Sequence, residues 1–160
     1  MFSFVITRLE LLTLSLLVLV VTSACREIPQ SHGGPVRDHV SFVDNLRAKG
    51  YGVDPVADVQ RPFLRPRGTL LRISGAGLGA PVQLESYNYD DRDLGMDGRV
   101  AAEQDAAGVG PDGQPRSGAV AWPASPHFFR KERVLVLYPG DDPSVVAVLT
   151  DLLVPQFAGT

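Results

Sequence analysis

The stretch VLVLY, Val134 to Tyr138, is apolar at every position. A half-buried strand alternates apolar and polar residues, whereas a strand apolar on both faces belongs in the centre of a sheet. The remaining strands have to be found around it. Pro81–Tyr89 alternates cleanly, Val82, Leu84, Ser86 and Asn88 against Gln83, Glu85, Tyr87 and Tyr89, and reads as a second strand. Thr69–Ser74 reads as a third, joined to it through the glycine-rich loop GAGLGA. The short run GAVAWP, ending at Trp122, is the fourth. Gly110 to Pro115, GPDGQP, is a strong turn.

Three helices fit between and around these strands. Val40, Val43 and Leu46 recur at helical spacing after Asp38, which can cap the start, and Gly50 can end the helix. Arg99 to Ala107 is the best part of a second helix, because Gly95 and Gly98 weaken what precedes it. In the last helix Asp142 caps, Pro143 occupies the first turn and Pro155 stops the run, with Val145, Val148, Leu149 and Leu152 on one face. The order α-β-β-α-β-β-α predicts an α+β domain: a mostly antiparallel sheet of about four strands with two or three helices packed on one side. Between Tyr51 and Gly68 the three prolines predict an extended or irregular segment.

With 160 residues the chain has room for one domain. Its 16 Gly and 13 Pro favour short elements and many turns. The formal net charge is −3, and no basic tail is present. Nucleic-acid binding rests largely on phosphate neutralisation, so that partner class is excluded.

Leu11 to Val21 is an uncharged, mainly apolar run broken only by Thr13 and Ser15, followed by Thr22, Ser23, Ala24 and Cys25, the single cysteine of the chain. Arg8 and the amino terminus supply positive charge ahead of it. A short positive region, a brief apolar region and small residues describe a secretory signal peptide, and the run is short for a membrane span. An odd cysteine in an exported chain is a free thiol or a modified one. The segment resembles the lipobox of bacterial lipoproteins, with Thr22 standing where that family prefers Leu. The resemblance implies cleavage between Ala24 and Cys25, and fatty acyl chains such as palmitate on Cys25. Each buried methylene contributes about 0.8 kcal/mol, so two or three chains hold a protein on a membrane almost permanently. The expected organisation is a signal helix over 1–24, a polar tether over 25–37 and a domain over 38–160. The expected location is the extracytoplasmic face of the cell membrane.

Several motifs invite a chemistry that the sequence does not support. Gly75, Gly77 and Ala80 fit a dinucleotide-binding fingerprint, but a strand follows where the helix facing the pyrophosphate would have to start. Asp90, Asp91, Asp93 and Asp97 crowd together as in a calcium loop, yet Gly95, Met96 and Ala102 occupy positions that an EF-hand gives to other residues. The stretch Asp90–Asp97 is therefore read as an acidic loop leading into a helix. His39 and His127 lack zinc-ligand spacing. No metal and no cofactor are expected. Arg61, Arg65, Arg67 and Arg72 form a cluster that could meet an anionic partner or lipid headgroups, although a solvated face is the default.

The run from Pro126 to Pro143, PHFFRKERVLVLYPGDDP, together with Pro62-Phe63, Pro111 to Gly113 and Trp122, resembles an uncharacterised group of small exported bacterial proteins, many of them lipoproteins. Glu132 stands where that group has Gly. The resemblance spans about Asp38 to Phe157 and implies a domain boundary without a catalytic residue. The functional expectation is a lipid-anchored envelope protein of non-enzymatic, protein-binding or structural role. The alternative is a small-molecule or ion carrier, with Trp122, His127 and Arg130 lining its cleft. An envelope hydrolase is a third class.

Overall fold

The structure is a computed structural model that describes residues 33–159. The readings made on the signal segment 1–24, on Cys25 and on most of the tether lie outside the described residues. Val36 is buried in the core, and the Arg37 carbonyl accepts a hydrogen bond from the Arg133 amide.

The chain folds as α1 (His39–Ala48), β1 (Tyr51–Val59), β2 (Gly68–Gly75), β3 (Val82–Asn88), α2 (Asp91–Leu94), α3 (Gly98–Ala107), β4 (Pro126–Lys131), β5 (Val134–Pro139), α4 (Pro143–Leu153) and β6 (Ala158–Gly159). The strands form one antiparallel sheet in the order β1-β2-β3-β5-β4-β6. The class is α+β, as the periodicities predict, with six strands instead of four.

β5 lies inside the sheet, between β3 and β4, and all of Val134–Tyr138 is buried. Both of its faces are covered. On one, Val134, Val136 and Tyr138 join Leu84 and Phe129 beneath Phe42 and Leu46 of α1 and Val145, Leu149 and Leu153 of α4. On the other, Leu135 and Leu137 join Tyr87, Tyr89 and Phe128 beneath Ala101 and Ala102 of α3 and Leu64 of the β1–β2 loop. The helices therefore flank the sheet on both sides, which corrects the one-sided packing. Ala101 and Ala102 explain the error. They carry little apolar area, so α3 does not announce itself as a core helix, yet their small side chains admit it close to the aromatic face.

Two further corrections concern strands. Residues 51–59 form β1, despite Pro55. β1 is an edge strand whose register slips between Pro55 and Ala57, and proline is tolerated at sheet edges and bulges. GAVAWP is not a strand. The partner of β5 in the hairpin is Pro126–Lys131, and Glu132 turns the chain with φ +50°.

The caps fall where the side chains allow them. Asp38 and Ser41 form a reciprocal capping box on α1. Asp90, Asp97 and Asp142 accept backbone amides at the starts of α2, α3 and α4. The acidic run Asp90–Asp97 is thus a pair of helix starts. Its Asp91 also accepts the Gly98 amide at 2.8 Å and pairs with Arg133 at 3.7 Å. No group of three or more metal-ligating side chains gathers among the described residues. GAGLGA is the β2–β3 connection, with Gly75, Ala76 and Gly77 at positive φ, and no helix begins there.

Candidate binding groove

Trp122, His127 and Arg130 do not share a cleft. Side chains two apart on a strand point the same way and neighbours point oppositely. Phe128 and Arg130 face the α3 side, where Arg130 reaches Glu103 of α3 at 3.5 Å. Trp122 lies on that side too, edge-on to Phe63 and Phe128 at centroid distances of 6.4 and 5.9 Å. His127 faces the opposite side, stacked on Tyr138 at 5.9 Å and held by Gln156 at 2.7 Å.

The arginine cluster is also dispersed. Arg61 turns onto the buried carboxylate of Glu85, with Nε 3.0 Å from Oε2 and a second contact from Nη2 to Oε1. Its guanidinium also covers the Trp122 ring at 5.1 Å. Arg65 pairs with buried Asp105 at 3.5 Å and donates its backbone amide to the same carboxylate at 2.8 Å. Arg72 lies 3.6 Å from Asp54. Three of the four guanidinium groups are therefore satisfied by this chain's own carboxylates. The carboxylates in turn engage tyrosines. Burial, followed by the carboxylate neighbour, pushes the Tyr87 and Tyr89 hydroxyls far above the ordinary tyrosine range.

A concave groove among the described residues lies between α1 and the edge strand β1. Its volume is about 230 Å³. Val40 and Val43 of α1 and Val53 and Pro55 of β1 make its apolar wall, and His39, Asp44 and Arg47 supply polar groups. The helix puts these together because positions 39, 40, 43, 44 and 47 follow the three- and four-residue spacing of one stripe. β1 is at the sheet edge, so no further strand among the described residues fills the space beyond it.

Each polar group is held differently. Arg47 Nη2 donates to the Val53 carbonyl at 3.2 Å, which draws the guanidinium across the strand edge. Asp44 is half-buried and has no hydrogen-bond or ion-pair partner among the described residues. His39 has its amide on Asn88 Oδ1 at 3.1 Å and its Nδ1 2.9 Å from Ser86 Oγ. Burial pushes its imidazole below the ordinary value, partly offset by the Asp38 carboxylate. The His39–Ser86 contact has the distance of a base and a nucleophile. Ser86 is only 1% exposed, however, so no substrate reaches its hydroxyl in this arrangement.

Sequence reasoning gave His39 only as a histidine without zinc-ligand spacing, put Val40 and Val43 on a helix face, and read 51–68 as extended or irregular without assigning β1. Without β1 the groove has only one wall. The available signal was Asp44 and Arg47 on the same stripe as Val40 and Val43. No protein-family model, curated protein or solved structure matches the chain.

Proposed function

We propose that this chain is a bacterial envelope lipoprotein, held on the extracytoplasmic face of a membrane by acyl chains on Cys25, whose domain binds and does not catalyse. The observation that carries the proposal is the run Leu11–Val21 followed by Ser23, Ala24 and the single Cys25. Val36, the first buried core residue among those described, follows Cys25 by only eleven positions in the sequence, which supports a short link.

Labelled palmitate supplied to expressing cells should enter the protein, and Cys25→Ala should abolish the label. The variant should then leave the membrane fraction or persist as uncleaved precursor. A wild-type protein without label, or a Cys25→Ala protein still matured and membrane-held, overturns the proposal.

Two binding roles follow from such an anchor, a protein partner or a small molecule. The α1–β1 groove favours the small molecule, because it combines an apolar wall with convergent polar groups. Pull-down of the intact protein from detergent-solubilised membranes separates the two, since recovery of a stoichiometric protein partner would reverse this preference.

A further inference from the structure

The α1–β1 groove, about 230 Å³, is smaller than the sites that enclose drug-sized ligands, about 300–1,000 Å³. It suits a molecule of one side chain's bulk. Its wall of Val40, Val43, Val53 and Pro55 offers only aliphatic contact. Its two charged groups are opposite in sign and lie three residues apart on α1. Side chains so spaced are neighbours on the helix surface and would ordinarily pair. Here Arg47 is drawn instead to the Val53 carbonyl, which leaves Asp44 without a partner among the described residues. A carboxylate and a guanidinium thus border one apolar hollow without neutralising each other.

A peptide adding as a strand beside β1 is the competing occupant. The strand edge opposes it. Pro55 has no amide to donate, Arg47 occupies the Val53 carbonyl, and the register slips between Pro55 and Ala57. We infer that the groove binds a small zwitterion with an aliphatic side chain, an α-amino acid in chemical class. Asp44 receives the ammonium, Arg47 the carboxylate, and the valine and proline wall the side chain. This inference rests on the binding role proposed above.

Calorimetric titration of the detergent-solubilised full-length protein with L-leucine and L-valine tests it. Saturable binding with a dissociation constant of about 1 mM or tighter is expected. N-acetyl-L-leucine lacks the ammonium and L-leucinamide lacks the carboxylate, so each should bind at least about tenfold more weakly, as should Asp44→Asn and Arg47→Gln protein with L-leucine. Val40 is 66% exposed, so Val40→Glu should leave the fold intact while placing a charge against the side-chain pocket, and it should abolish binding. Binding of N-acetyl-L-leucine or L-leucinamide as tight as L-leucine overturns the zwitterion assignment. Tighter binding of the dipeptide Val-Val than of either amino acid would assign the site to a peptide. Absence of saturable binding by a palmitate-labelled protein overturns the groove inference alone. Binding by an unlabelled protein overturns the anchor and leaves the groove standing.

Discussion

Tyr87 and Glu85, two residues apart on β3, share one face of the sheet, and the Tyr87 hydroxyl donates to Glu85 Oε2 at 2.6 Å. The same oxygen accepts from Arg61. One turn along the loop the pattern recurs, with Tyr89 donating to Asp105 Oδ2 at 2.9 Å and Arg65 on the same carboxylate. Two arginines four residues apart thus pin the β1–β2 loop to two tyrosines that alternate along one strand. The loop carries Leu64 and Phe63 into the aromatic face and so closes the α3 side of the core.

Breaking the inner pair should be costly. Glu85 is 3% exposed and the Arg61 side chain 26% exposed, so Glu85→Leu leaves a largely desolvated guanidinium and should cost about 3 kcal/mol in urea unfolding. Arg61→Met combined with Glu85→Leu should recover part of that loss, because neither charge then remains, while the buried Tyr87 hydroxyl still lacks its acceptor. By contrast, the exposed Lys49–Asp151 pair should be removable without measurable change. Equal losses for the single and double variants at the inner pair would contradict the latch.

Stability should fall as the medium becomes mildly acidic, in part through His39. Burial holds its folded-state pKa below the ordinary 6.5, so the unfolded chain takes up a proton first as pH falls. The contribution is present in full above that value and declines as pH drops toward the folded one. The stability of His39→Gln should depend less steeply on pH in this window. Asp38 adds a separate effect of the carboxylate kind. Hydrogen bonds from Ser41 lower its pKa from 3.8, so its contribution is lost only as pH falls through that lower folded value. Unfolding measured from about pH 7 to about pH 5 isolates the histidine. An unchanged slope in the variant would exclude His39 as its source.

Gly98 should not tolerate alanine. In an ordinary helix that exchange stabilises by about 1 kcal/mol. Here a Cβ would overlap the Tyr89 carbonyl oxygen, which is backbone and cannot swing away. Gly98→Ala should therefore destabilise, by about 1–3 kcal/mol, and lower the thermal midpoint. A rise in the midpoint would show that α3 can shift away from Tyr89.

Val154 points the other way. It ends α4 at φ +128° and ψ 169°, a region that favours glycine almost alone, and it is 47% exposed. Val154→Gly should stabilise by about 1 kcal/mol, since relief of backbone strain exceeds the extra entropy of glycine in the unfolded chain. Denaturant midpoints of the two proteins decide it, and a lower midpoint for the glycine variant would mean that the valine side chain contributes more than the strain costs.

Much of the fold was legible because local rules agreed with it. The run Val134–Tyr138 belongs at the sheet centre and lies there. Asp142, Pro143 and Pro155 bracket α4, whose stripe Val145, Val148, Leu149 and Leu152 is buried. The Pro81–Tyr89 alternation marked β3 correctly, although both of its faces are covered from Leu84 to Tyr87. GAVAWP misled because a short run of small and β-branched residues satisfies the strand pattern without a partner. Residues 51–59 read only as extended or irregular because Pro55 argues against a central strand and is silent about an edge.

By itself, the sequence determined the elements whose stabilising interactions are local: caps, turns, helix stripes and the strand apolar on both faces. It also carries the whole case for Cys25. Only the tertiary structure decided which groups meet. It set Arg61 on Glu85 and Arg65 on Asp105, and it separated His127 from Trp122 and Arg130 by the thickness of the sheet. It also brought the stripe of α1 against the edge of β1 to make the groove. Long-range charge pairing and cavity formation depend on strand order and on which side of each strand faces a helix, and periodicity along one segment encodes neither.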